Sequence, residues 1–139
     1  MKGKRGAREV ALQALYAWQL SGGDPLEEAR ANEHYEKSTF LEELVGGVRQ
    51  RAGELESLIA PHLHREFAKL SPVERAILYI GAYELAHHPQ TPFKVVLNEA
   101  VELGKSFGAS EGYRFVNGVL EKIALALRPD EVARSRNLA

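Results

Sequence analysis

Apolar residues recur three and four positions apart along most of the chain, which is the period of an α-helix, and no run alternates with the period of two that marks a strand. Between Ala7 and Leu20 the repeat is Ala7, Val10, Ala11, Ala14, Leu15 and Trp18, and Gly22-Gly23 stop it. Asp24-Pro25 followed by Glu27 reads as a second helix start, but the polar stretch to Ser38 holds few core candidates and predicts only a short, partly ordered excursion. Thr39 with Glu42 has the spacing of a capping box, and Leu41, Leu44, Val45, Val48, Ala52, Leu55, Leu58 and Ile59 then predict one long amphipathic helix ended by Pro61. Gly46-Gly47 should kink that helix or admit another backbone. Leu63, Phe67 and Leu70 predict a further turn or two.

The segment from Leu70 to Leu85 has a different pattern. Ser71, Pro72 and Glu74 supply a cap, a first helical residue and a capping-box acid, and the positions from Ala76 to Leu85 are apolar or aromatic on nearly every side of a helical wheel. Such a helix is enclosed by other helices. A membrane span would need roughly 20 unbroken apolar residues, whereas this run carries Glu74, Arg75 and Glu84. After Pro89 and Pro92, a stripe of Phe93, Val96, Leu97, Ala100, Leu103 and Phe107 predicts a helix ending at Gly108. Val116, Val119, Leu120, Ile123 and Leu127 mark the last one, from about Glu111 to Leu127, with a mobile tail from Asp130. The pattern predicts an all-α bundle of about six or seven helices.

Length adds that 139 residues form one domain with a real core. The absence of cysteine excludes disulfides and thiolate metal sites, and without a hydrophobic signal segment near Met1 a soluble cytoplasmic protein is the expectation. Charge changes the picture more. Lys2, Lys4, Arg5 and Arg8 put four positive charges on the first eight residues, so an overall −1 conceals a body carrying −5. A basic arm on an acidic body points to a polyanion at one end and a separate, protein-binding surface elsewhere.

Little in the chain points to catalysis. Gly104-Lys105-Ser106 resembles the end of a phosphate-binding loop, but Glu99 stands where its first glycine belongs. His62 and His64 diverge by about 200° on a helix, His87-His88 sit at a helix end where histidines meet carbonyl dipoles, and zinc wants three or four convergent ligands. Glu99 and Glu102 share a face that reads as solvated rather than as an acid–base pair. No cofactor, metal or enzymatic activity is expected. The arm offers more, because Arg5 and Tyr16 differ by only about 20° on a helical wheel, with Arg8 and Gln13 beside them, a line about 16 Å long. Cations tracking phosphates and an aromatic stacking on a base suit single-stranded nucleic acid; the alternative is a solubilising tail with Tyr16 in the core. Gly118, costing roughly 1 kcal/mol inside a helix, implies a close backbone approach, either of a packed helix or of a ligand.

The segments REVALQALYAWQL, LSPVERAILYIGAYEL, PFKVVLNEAVELGKSFG and RFVNGVLEKIA together closely resemble the NusB family of bacterial transcription antitermination factors. The resemblance implies two packed helical subdomains, no catalysis, and a pairing with NusE that binds the boxA element of nascent ribosomal RNA transcripts, in a complex with NusA, NusG and RNA polymerase. It places the arginine-rich motif on Lys2 to Arg8, the RNA-contacting tyrosine on Tyr16, the FVNG phenylalanine and asparagine on Phe115 and Asn117, and the NusE surface around Glu74. Gly3 and Gly6 depart from the family's consecutive arginines and should loosen the arm. Two other classes fit the pattern: a protein-binding helical adaptor indifferent to RNA sequence, and a stand-alone relative of the RNA-binding part of a ribosomal RNA methyltransferase.

Overall fold

Ser71 caps the central helix, its Oγ accepting the Glu74 N–H at 3.1 Å with Pro72 in the first helical position. The box closes differently from the standard one, since the Ser71 hydroxyl itself donates to the Glu74 carboxylate at 3.2 Å. This computed structural model describes residues 3–108 and 111–138, all of whose regular structure is helical. Eight α-helices follow in order: α1 Gly3–Ser21, α2 Pro25–Ala31, α3 Thr39–Gln50, α4 Ala52–Ile59, α5 Pro72–His87, α6 Phe93–Phe107, α7 Gly112–Leu127 and α8 Pro129–Leu138. Short 3₁₀ turns at Ala60–His62 and Phe67–Lys69 join α4 to α5.

Every residue of α5 from Ala76 to Leu85 is buried. Full burial of a side chain such as Ile77, Leu78 or Ile80 contributes roughly 1.5–3 kcal/mol, so this helix is the largest single source of core stability. Around it α1, α2 and α3 pack on one another, α6 packs on α7, and α5 touches both groups. Two glycines permit the close approaches. A Cβ on Gly81 would lie 2.7 Å from Leu120 Cδ1 of α7, and one on Gly47 would overlap the Tyr83 ring. The glycine pair therefore admits a side chain rather than a backbone. The break in the expected long helix falls further on, at Arg51, where φ −112° and ψ 22° separate α3 from α4.

Other expectations are corrected at the helix ends. Ser38, not Thr39, caps α3, accepting the Leu41 N–H at 3.0 Å, and Thr39 is the first helical residue. Asp24 does cap α2, accepting the Leu26 N–H at 2.9 Å. The glycines of the arm do not loosen it: α1 starts at Gly3, and Gly6 is buried within the helix. The tail from Asp130 is α8 rather than a mobile end. Arg128 explains this, because its guanidinium donates to four carbonyls, those of Glu84, Leu85, His88 and Thr91, at 2.6–3.1 Å. Glu131, one turn on, pairs with Arg128 at 3.1 Å and accepts the first N–H of α6, from Phe93, at 2.8 Å. The start of α8 thus answers the end of α5 and the beginning of α6 together.

Candidate nucleic-acid interface

The first turns of α1 carry cations in three different environments. Arg5 is half exposed and donates from Nε and Nη2 to the two oxygens of Glu99 on α6, at 3.1 and 2.6 Å. That side-on grip leaves the Nη1 edge of the guanidinium facing away from the carboxylate. Lys4 lies on another side of the helix, its Nζ 5.2 Å from the centre of the Phe40 ring. Arg8 is only 4% exposed; it grips Glu84 of α5 through Nε and Nη2, both at 2.8 Å, and reaches Glu99 through Nη1 at 3.3 Å. Burial therefore separates Arg8 from the RNA-facing group to which its spacing assigned it. Lys2 lies outside the described residues.

Arg5 and Arg8 hold the Glu99 carboxyl below the usual carboxylate range, the Arg5 hydrogen bond contributing most. Glu99 is thus a fixed anion between two guanidiniums, not half of a solvated acid pair. Further along α1, Gln13 and Tyr16 are both on the surface, Tyr16 at 38% exposure, so the tyrosine is not a core residue. Gln13 Oε1 accepts from Asn32 Nδ2 at 2.7 Å, which ties it to the end of α2 and leaves its amide nitrogen outward.

Phe115 and Asn117 stand on α7, across α6 from the arm. Phe115 is half-buried against the core. Asn117 donates from Nδ2 to Glu121 Oε1 at 3.0 Å; a carboxylate can only accept there, so the amide is oriented with a carbonyl oxygen that accepts no hydrogen bond among the described residues. Among the described residues, and apart from its own turn of helix, nothing lies within 4 Å of where a Cβ on Gly118 would stand. Of the two explanations for that glycine, tight helix packing is overturned. Glu74 lies at the joint between α5 and α7, where a Cβ on Gly112 would come 3.2 Å from its Oε2.

Sequence reasoning missed Glu84, Glu99 and Phe40 as partners of the arm. A signal existed for Glu84, the lone acid in the apolar run from Ala76 to Leu85, which burial tolerates only opposite a cation. The histidines face acids rather than helix-end carbonyls: His87 Nε2 lies 2.9 Å from Glu54 and His88 Nε2 2.6 Å from Glu43. Among the described residues, no three His, Asp or Glu side chains gather as a metal site would require.

The model of the NusB family matches residues 5–125. The chain belongs to the NusB family. It is 46% identical over 139 residues to the transcription antitermination protein NusB of Burkholderia cenocepacia (strain HI2424), covering 96% of each chain. The fold is similar to that of T. maritima NusB, with a TM-score of 0.85 at 24% identity over 95% of this chain and 98% of the other. A crystal structure of antitermination factors NusB and NusE in complex with dsRNA has a TM-score of 0.79 at 30% identity, over 88% of this chain and 96% of that one. Arg5, Gln13, Tyr16, Glu74, Phe115 and Asn117 all fall inside the NusB match, whereas α8 begins beyond it. No helix among the described residues is long and apolar enough to cross a membrane.

Proposed function

We propose that this chain is a cytoplasmic, non-catalytic antitermination factor that binds single-stranded boxA-type RNA of nascent ribosomal transcripts together with NusE, within a complex that includes NusA, NusG and RNA polymerase. Residues 1–139 act as one RNA-binding domain. The observation that carries this reading is the surface of α1, where an exposed Tyr16 and Gln13 follow an Arg5 whose guanidinium is oriented by Glu99 with one edge outward. A planar cation so fixed suits a phosphate, and an exposed phenol ring suits a base. Lys4 extends the arm, and Lys2 is assigned to it from sequence. Arg8 serves by holding α1 against α5 rather than by touching RNA, and Phe115 and Asn117 provide a second contact region on α7. Glu74, at the junction of α5 and α7, is the proposed NusE contact.

RNA binding measured with and without NusE tests the reading. The expected result is boxA-dependent binding that NusE strengthens and that flattens with salt when Lys4 and Arg5 are neutralised, because each phosphate contact releases counterions. Equal affinity for unrelated sequences would favour a protein-binding adaptor.

A further inference from the structure

A cavity of about 510 Å³ opens between α6, α7 and α8, on the opposite flank of α6 from the arm. Its floor is apolar, made of Phe93, Leu97 and the Val132 of α8. Polar groups surround that floor: Lys94 and Asn98 from α6, Asn117 and Glu121 from α7, Ser135 and Arg136 from α8. The volume lies within the roughly 300–1,000 Å³ of small-ligand sites, and the lining joins an apolar platform to cations and amides.

We infer that this cleft is a second RNA subsite, in which a nucleotide flanking the arm-bound segment places its base over the Phe93–Leu97–Val132 floor and its phosphates against Lys94 and Arg136. The inference rests on the proposed RNA-binding function and extends it to a helix beyond the NusB match. Three observations support an RNA occupant. The first is continuity: Asn98 lines the cleft while Glu99, the next residue of α6, holds Arg5, so a strand leaving the arm has only the width of one helix to cross.

The second is charge. Lys94 and Arg136 are exposed, and neither is held in an ion pair among the described residues, unlike Arg5, Arg8 and Arg128. Two such cations in a body carrying −5 mark a local site for an anion. The single acid of the lining, Glu121, is engaged by Asn117. The third is readout, for that bond leaves Asn117 Oδ1 as a fixed acceptor for an imino or exocyclic amine hydrogen of a base.

The test uses the full chain and fluorescence anisotropy with a labelled single-stranded RNA that carries boxA and several nucleotides on either side, over a range of salt concentrations, with and without NusE. Lys94→Ala/Arg136→Ala should weaken binding and make the slope of log affinity against log salt shallower by about 1.4, the value for two phosphates on a single strand. The effect should disappear when the flanking nucleotides are removed. Both side chains are exposed, so an unchanged melting temperature should accompany the loss. If Lys4→Ala/Arg5→Ala weakens binding while the cleft variant matches the parent in affinity and slope, the subsite is overturned and the RNA-binding function stands. If the parent itself shows no boxA-dependent binding in either condition, the function fails and the subsite with it. A cleft variant that loses NusE affinity but keeps RNA affinity would make this a protein contact and overturn the inference.

Discussion

Arg8 and Glu84 meet inside the bundle through two parallel hydrogen bonds of 2.8 Å, joining the cationic first helix to the apolar central one. Both side chains are nearly inaccessible, at 5% and 1%. Removing one partner of such a pair leaves the other charge buried and unanswered, a loss of about 3–5 kcal/mol. Arg8→Ala should therefore lower stability by that order in urea unfolding. The paired replacement Arg8→Met/Glu84→Leu should recover most of the loss, because it removes both charges. An Arg8→Ala protein as stable as the parent would show that the pair contributes little.

Tyr16 gives the opposite expectation. Its exposure means that Tyr16→Ala should leave the melting temperature nearly unchanged while costing about 1–3 kcal/mol of RNA affinity, the range for a stacked base. Unaltered RNA affinity in a folded variant would remove Tyr16 from the interface.

Gly118→Ala separates folding from binding in a single substitution. Nothing among the described residues crowds the new methyl group, so the variant should gain up to about 1 kcal/mol of helix stability. RNA that approaches the Asn117–Gly118 backbone should meanwhile bind more weakly. A more stable protein with parental affinity would place the RNA away from this turn.

Glu74 combines a helix cap with the proposed NusE contact. Glu74→Gln retains an acceptor for the Ser71 hydroxyl and should keep the melting temperature close to the parent's, yet weaken NusE binding if the charge docks the partner. Glu74→Lys should weaken it further and also cost about 0.3–1 kcal/mol at the helix start. Calorimetry showing parental NusE affinity for both folded variants would assign the residue to structure alone.

Alkaline pH probes the contact between α3 and α5. Burial, with a hydrogen bond to the Glu43 carboxylate, pushes the Tyr83 phenol from an ordinary 10 up to about 12. A group whose native pKa is raised contributes stability that is complete below its unfolded value and lost as pH rises through the native one. Stability should thus decline between pH 10 and about 12, and Tyr83→Phe should make thermal melts less dependent on pH across that window. An identical decline in the variant would assign the loss to other groups, Tyr79 among them, whose phenol is shifted upward by burial and by Glu56.

Helix identity was legible because the period of apolar residues is a local property of the chain. The central helix was the clearest case, since Ala76 to Leu85 left no face for solvent. Partnership across the fold was not legible in that way. Arg5 and Arg8 are both arginines near the start of α1, and only the placement of Glu84 and Glu99, more than seventy residues away, separates the buried one from the exposed one. The same reason accounts for α8: Pro129 and the polar residues after it resemble a chain end until Arg128 and Glu131 are seen against the ends of α5 and α6. Gly118 shows the converse, a local anomaly visible in the sequence whose packing explanation only the fold removes, since among the described residues nothing stands within 4 Å of its missing Cβ.

The bonds from Arg128 to the carbonyls of Glu84, Leu85, His88 and Thr91 also fix where the folding unit can be cut. A chain shortened to the family match would stop three residues before this arginine. The last turn of the core helix would then have to find water for carbonyls that a guanidinium now serves, and the first turn of α6 would lose its carboxylate acceptor. Truncation at the C-terminus should accordingly fray the middle of the protein rather than its edge.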